Sequence, residues 1–245
     1  MNKEILSRSV RLLGEEKIRR LEEIKVIVFG VGGVGSWCVE ALVRSGVRNI
    51  TIVDGDVVSA SNINRQLMAT VETIGESKVE ALKRHLLTVA PDACINCIDS
   101  VFTAETSGSF HLEDYDYIID AIDSLKDKVA LIEIATKTDA RFFSSMGAAL
   151  KIDPTRIKVA EFWKAIGCPL ARALRQRFKK TGRFPAKKFK VVYSDELLPN
   201  LGPEPEGKRS EADERKAQIN GSLMHITAIF GMTLAGLVIE DVYRE

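Results

Sequence analysis

The stretch "VIVFGVGGVGSW", residues 26–37, decides the fold, because an apolar β-branched run gives way to glycines and then to a sequence that suits a helix. "KVIVF" at 25–29 has no polar alternation, so it reads as a strand covered on both faces. Gly30, Gly32 and Gly35 fit the spacing G-x-G-x-x-G between that strand and a helix running to about Ser45, with Gly33 inside the same loop. Glycines here let the backbone approach a phosphate, while the helix N-terminus supplies free amides and the positive end of its dipole. About twenty residues on, Asp54 closes a second strand, "NITIVD" at 49–54, where a carboxylate can take both hydroxyls of a ribose. A bound nucleotide is the expectation.

Outward from this loop the pattern repeats. "ESKVEALKRHLLTVAP" (76–91) reads as a helix stopped by Pro91, "ACINCI" (93–98) as a third strand and "DYIID" (116–120) as a fourth. A helix over "SLKDKVALIEIATKT" (124–138) and a fifth strand at "RFFSS" (141–145) follow. Strand and helix in alternation predict a parallel sheet with helices on both faces and right-handed crossovers. Beyond residue 147 the rhythm changes. "ALKID" and "RIKVAE" around "PT" predict a hairpin, and a helix from near Cys168, a basic segment and a strand at "KVVYS" (190–194) come after it. Residues 199–221 hold almost no large apolar side chains and read as a mobile loop. Without a repeat or a linker, the chain reads as one domain, 1–245, with a nucleotide-binding half (1–150) and an elaborated second half (151–245).

At 45% apolar content the 245 residues suffice for one large core. Lys plus Arg (35) and Asp plus Glu (34) nearly cancel, so only the distribution of charge can point to a polyanionic partner. It does so at "RQRFKKTGRFPAKKFK" (175–190), which has eight Lys or Arg, no acid and three phenylalanines, Phe178, Phe184 and Phe189, able to stack on exposed bases. The bland alternative is a solvated basic face. The charged N-terminal stretch lacks the apolar core of a signal peptide, which suggests a cytoplasmic protein. The uncharged run 221–239 has the length of a membrane span, yet Ser222, His225, Thr227 and Thr233 dilute it. A buried core or subunit-interface helix, and no membrane, is the reading.

Four cysteines without a regular framework suit a reducing compartment. Cys94 and Cys97, three apart along a strand, face opposite ways, and a lone CxxC cannot build a four-thiolate zinc site. Cys168 precedes a helix whose N-terminus would lower a thiol pKa, but a packed or merely exposed thiol is the preferred reading. His85, His111 and His225 share no ligand spacing, and Trp37 and Trp163 are assigned no function.

A dinucleotide fold used for hydride transfer needs no cluster of cations beyond its loop. This chain has one. "DGDVVSASNINRQ" (54–66) is followed by Lys78 in "GESKVEA", and the fourth strand ends in "DAIDS" with Asp120 and Asp123. Carboxylates to hold Mg²⁺ beside cations to neutralise phosphate oxygens are what cleavage of ATP requires.

In order and spacing, "GVGGVG", "DGDVVSASNINRQ", "GESKVEA" and "DAIDS" resemble the ubiquitin-activating-enzyme superfamily, in its bacterial branch of ThiF and MoeB relatives, over roughly residues 8–150. Those relatives activate a carboxylate by adenylation. "GAALKIDPTRIKVAEFWKAIGCPLARALRQRFKK" (147–180) and "VVYSDE" (191–196) are similar to the tRNA threonylcarbamoyladenosine dehydratase branch, which extends the resemblance to nearly the whole chain. The resemblance implies an α/β, Rossmann-like, mostly parallel sheet with helices on both faces and antiparallel strands in the C-terminal half. It also implies ATP-dependent dehydration of threonylcarbamoyladenosine in tRNA through an acyl-adenylate, with ATP and Mg²⁺ as cofactors.

Carried over by position, it places Gly30, Gly32 and Gly33 at the phosphates, Asp54 on the ribose with Asp56 nearby, and Ser61, Asn62, Arg65 and Gln66 along the triphosphate. Lys78 neutralises that triphosphate, and Asp123, next to Ser124, holds Mg²⁺. Arg11, in "RSVRLLG", matches an arginine that relatives extend from the neighbouring subunit, which implies a homodimer. Expected partners are tRNA, on the basic segment 175–190, and a sulfur-transfer protein. Alternatives that stay open are adenylation of the C-terminus of a small sulfur-carrier protein, an NAD-dependent oxidoreductase, and an ATP-sensing scaffold without turnover.

Overall fold

Two short helices, α1 (Ser7–Leu13) and α2 (Glu15–Glu23), lead into β1 (Lys25–Phe29), whose side chains divide between two cores. Val26 and Val28 belong to one, Ile27 and Phe29 to the other, and all four are fully buried. Alternate side chains of a strand point to opposite faces, so an uninterrupted apolar run requires cover on both. At roughly 1.5–3 kcal/mol for each such side chain taken out of water, this strand alone contributes substantially to the core. The computed structural model describes residues 4–203 and 219–245.

After β1 come α3 (Gly35–Arg44), β2 (Asn49–Val53), α4 (Lys78–Val89), β3 (Cys94–Ile98) and β4 (Tyr117–Asp120). Then follow α5 (Leu125–Ala135), β5 (Arg141–Ser145), β6 (Ile157–Glu161), α6 (Pro169–Thr181), β7 (Lys190–Ser194) and the C-terminal helix α7 (Met224–Arg244). Among the described residues the strands form one sheet in the order β3-β2-β1-β4-β5-β7-β6, parallel except for the β6–β7 pair. The α/β sheet with an antiparallel edge in the C-terminal half is as the sequence suggests. Chain order runs outward through β1, β2 and β3 on one side and through β4 and β5 on the other, so the direction of winding reverses between β1 and β4. In open α/β sheets, ligands bind beyond the carboxyl ends of the strands at such a switch point.

The expected hairpin of "ALKID" with "RIKVAE" does not form. Asp153 Oδ1 accepts from the Thr155 amide at 2.8 Å and caps a single 3₁₀ turn, Pro154–Arg156, and β6 pairs instead with β7, Val159 opposite Val192. The segment before it is claimed by Glu196, whose Oε2 accepts from the Ile152 and Asp153 amides and whose carbonyl accepts from the buried Lys151 ammonium at 2.6 Å. Of the stretch 199–221 expected as a loop, residues 204–218 lie outside the described residues, and the flanking positions hold no helix or strand.

Helix α7 is long and apolar enough to cross a membrane by length and composition. Here it packs as a core helix, burying Ile226, Phe230, Leu234 and Val238 in the same core as Cys38, Val39 and Leu42 of α3. The two helices meet closely at Gly231, where a Cβ would stand 2.3 Å from the Val34 carbonyl oxygen and 2.8 Å from the Cys38 nitrogen.

Candidate active site

The glycine loop sits at the switch point. Gly30 adopts φ 81° and donates to the Val53 carbonyl at 2.8 Å, and a Cβ on it would stand 2.8 Å from the carbonyl oxygen of Ala121, just past β4. Gly35 is tighter still, since its Cβ would fall 1.8 Å from the Gly30 carbonyl oxygen. These two glycines serve the protein's own packing. Gly32 differs: among the described residues the only atom within 4 Å of its Cβ position is Gln66 Nε2, at 3.7 Å. Among the described residues no backbone crowds that position. Gly33 is intermediate, its Cβ position lying 3.2 Å from Arg65 Cγ and 3.3 Å from Thr227 of α7. Val34, at the N-cap of α3, makes no side-chain cap, and of the first turn the Ser36 amide bonds the Gly32 carbonyl at 3.1 Å.

Asp54, Asp56 and Lys78 form one linked group. Asp54 accepts from the Val31 amide (2.8 Å) and the Asp56 amide (3.0 Å), so the carboxylate ties the glycine loop to the turn after β2. Burial raises its pKa, opposed by the Lys78 ammonium 3.8 Å away. Lys78, itself buried at the start of α4, donates to Asp56 at 2.7 Å, and its amide bonds the Asp56 carbonyl.

A 3₁₀ turn, Ala60–Asn62, arranges the next four residues. Asn62 Oδ1 accepts from the Ser59 amide at 3.1 Å, and the Asn62 carbonyl accepts from the Arg65 and Gln66 amides. Ser61 pairs with the Ser59 hydroxyl and offers its carbonyl to the Arg65 guanidinium at 2.9 Å. Asn62 therefore shapes the turn, and Arg65 lays its stem over Gly33. Gln66 is 7% exposed, its Nε2 stands beside the Cβ position of Gly32, and its Oε1 is buried without a hydrogen-bond partner among the described residues. A buried unsatisfied acceptor costs about 1–3 kcal/mol, the signature of a group awaiting a donor.

Asp120 is not available to a metal, contrary to the pairing with Asp123 suggested by "DAIDS". It is fully buried, 2.8 Å from the equally buried Lys128 ammonium and 2.7 Å from the Ser144 hydroxyl. Asp123 is exposed beyond the end of β4, and Ser124 caps α5 by accepting from the Asp127 amide at 3.4 Å. Among the described residues no three His, Cys, Asp or Glu side chains form a metal cluster.

Arg11 lies elsewhere. Helix α1 is anchored by the preceding Leu6, which packs 3.4 Å from the Cβ position of Gly46, at the end of α3 opposite the glycine loop. Ten helical residues separate the two ends, roughly 15 Å at 1.5 Å each. Residues the sequence did not single out complete the site. Trp37 donates through its indole to the Arg65 carbonyl at 3.0 Å, and Ser36 bonds both the Gly32 carbonyl and the Leu67 amide. Their only prior signal was proximity to the loop.

The basic segment corrects the stacking expectation. Phe178 and Phe189 are core residues, and Phe184 alone of the three is exposed, at 53%. Two cations also turn inward: Arg175 donates to the Phe162 and Ala165 carbonyls, and Lys187 to those of Thr138 and Ala140, with burial lowering the Lys187 pKa. Arg177, Lys179, Lys180, Arg183, Lys188 and Lys190 remain exposed. Cys168 occupies the N-cap of α6 but is buried in the core, and the four cysteines are unbridged.

The ThiF family model matches residues 6–242. A tRNA threonylcarbamoyladenosine dehydratase of Bacillus subtilis is 36% identical across 98% of this chain and 94% of that protein, and one of Haemophilus influenzae is 34% identical across 96% and 92%. Crystal structures of the Escherichia coli tRNA N6-threonylcarbamoyladenosine dehydratase, TcdA, superpose with a TM-score of 0.85 over 98% of this chain and 94% of that one. Sequence identity is 30% for the complex with AMP and 29% for the complex with ATP.

Proposed function

This chain belongs to the ThiF family, and we propose that it is an enzyme that uses ATP to dehydrate threonylcarbamoyladenosine in tRNA, closing the threonylcarbamoyl group to a cyclic form. One observation carries the reading: similarity to named dehydratases runs through both halves of the chain, and the fold superposes on a dehydratase solved with ATP.

Asp54 keeps lone pairs for ribose hydroxyls beyond its two backbone bonds. The start of α3 and Gly32 face the phosphates, where Gln66 Nε2, Arg65 and the remaining ammonium hydrogens of Lys78 donate to the bound substrate. Asp123 and phosphate oxygens would hold Mg²⁺, an ion that binds through one or two carboxylates and keeps several waters. When bound, it supplies positive charge against the repulsion between two anions. The threonyl carboxylate attacks the α-phosphorus and pyrophosphate leaves. The carbamoyl oxygen of the same side chain then attacks the acyl carbon, AMP departs with one carboxylate oxygen, and a carbamoyl N–H proton is lost. The nucleoside is lighter by one water. Because this nucleophile is already tethered, effective molarity replaces a covalent cysteine, which agrees with the burial of Cys38 and Cys168.

Arg11 serves this site from a second copy, which makes the enzyme a homodimer. Mixing Arg11→Ala with Asp123→Asn chains then restores turnover that neither chain has alone. A tRNA substrate supports a cytoplasmic location, tested by cell fractionation, and co-purification tests a sulfur-transfer protein as a further partner. Pyrophosphate release is the direct assay. It is expected with ATP and tRNA carrying the modified adenosine; release only with a sulfur-carrier protein would select the carrier reading, and no release with either would remove adenylation.

A further inference from the structure

A residue outside the nucleotide-binding set governs the turn that carries Asp123. The Lys128 ammonium reaches back from α5 to two acceptors, Asp120 Oδ2 at 2.8 Å and the Ile122 carbonyl at 2.9 Å. The second oxygen of Asp120, Oδ1, accepts from the Ile122 amide at 3.1 Å. The ion pair thus holds Ile122 by both its N–H and its C=O, one residue before Asp123 and one after Ala121, whose carbonyl packs against Gly30. Ser144 on β5 completes the arrangement by donating to Asp120 Oδ2 at 2.7 Å. Both charged side chains are wholly buried.

A buried ion pair is weak ground for a stability role. Two charges taken out of water gain little over well-packed apolar side chains of similar volume, whereas their directed hydrogen bonds fix a backbone that apolar packing would leave free to shift. We propose that Lys128, neutralised by Asp120, is a positioning residue of the reaction: it locks the 121–124 turn so that Asp123 meets the phosphates of ATP. The inference rests on the function proposed above and assigns Lys128 no contact with substrate.

The test uses the full-length chain with Asp120→Asn and Lys128→Met combined, which removes both charges together and leaves neither unpaired. Thermal unfolding checks the fold, and calorimetry compares binding of AMP, which lacks the outer phosphates, with that of ATP in the presence of Mg²⁺. A residue that orients a metal-holding carboxylate changes metal affinity by about tenfold or more when removed. The double variant is therefore expected to bind ATP with Mg²⁺ about tenfold more weakly and AMP as the parent does. Equal weakening of both, or no change in either, overturns the proposal. Should the double variant fail to fold, Ser144→Ala decides, since it removes one hydroxyl from Asp120 and is expected to move the same comparison in the same direction by a smaller factor; again, equal or absent changes overturn it. A parent chain that binds ATP no differently with and without Mg²⁺ would instead strike the assignment of Asp123, and this inference with it.

Discussion

The glycine loop and the basic segment 175–190 are both written plainly in the sequence, yet one is a matter of backbone and the other of side chains. In the loop, Gly30 and Gly35 are fixed by carbonyl oxygens that no neighbouring side chain can move, so sequence and geometry determine one another. In the basic segment, charge and aromatic content are shared between a solvent face and a core. Arg175, Phe178, Lys187 and Phe189 serve the interior, and Arg177, Lys180, Arg183 and Phe184 the surface. A motif made of missing side chains predicts its own geometry. A motif made of composition does not.

The sharpest break of that contrast lies inside the loop. Gly35→Ala places a Cβ against backbone and is expected to cost about 3 kcal/mol or more of stability, with nucleotide binding abolished. Gly32→Ala, with only the flexible end of Gln66 nearby, is expected to fold normally and to bind ATP about tenfold or more weakly, since a methyl group then fills the phosphate space. Thermal unfolding with calorimetric titration separates the two, and a Gly32→Ala chain that binds ATP normally would remove this loop from the phosphates.

Next in size is Asp123→Asn. Because the residue is exposed, its fold should persist while pyrophosphate release falls by about two orders of magnitude. Near-normal release would take Asp123 out of the mechanism.

On the basic segment, Arg177→Gln with Lys180→Gln and Arg183→Gln should leave ATP binding unchanged and weaken tRNA binding. The slope of log affinity against log salt is expected to fall by roughly 0.7–0.9 for each phosphate that the variant no longer neutralises. Adding Phe184→Leu should weaken tRNA binding further, by about 1–3 kcal/mol if a base stacks there. An unchanged slope would make the segment a solvated face.

The smallest effect concerns Asp195, which bridges Arg156 and Lys158 behind β6. Those two hydrogen-bonded cations hold its carboxyl down at about 2. A lowered folded-state pKa contributes stability that is present above the ordinary carboxylate range and disappears as pH falls through about 2. Asp195→Asn should therefore be slightly less stable than the parent at neutral pH, with the difference vanishing in acid. A constant difference across pH would deny the ion pairs any part in it.

Much of the fold was legible because strands buried on both faces leave continuous apolar runs, as "KVIVF" and "NITIVD" do. The hairpin was misread because Glu196 and Lys151, distant in sequence, decide where 149–153 goes. At the site, Asp54 was singled out by its spacing from the glycine loop, Lys78 by the cluster of cations and Gln66 by resemblance; the structure sets Lys78 3.8 Å from Asp54 and Gln66 beside Gly32. Asp120 was misassigned because its partner, Lys128, stands eight residues on, in the first turn of α5, and gives no local sign of being buried. The inward turn of Phe178 follows from helical periodicity alone, at the spacing of Ala171 and Leu174 on α6. That of Phe189 depends on the register of β7 beside β5.

The most direct measurement is the mass of the modified nucleoside after tRNA carrying threonylcarbamoyladenosine is incubated with the protein and ATP. Loss of one water, dependent on ATP and accompanied by AMP and pyrophosphate, is the predicted result. An unchanged nucleoside, or a change that requires a nicotinamide cofactor and no ATP, would contradict the account.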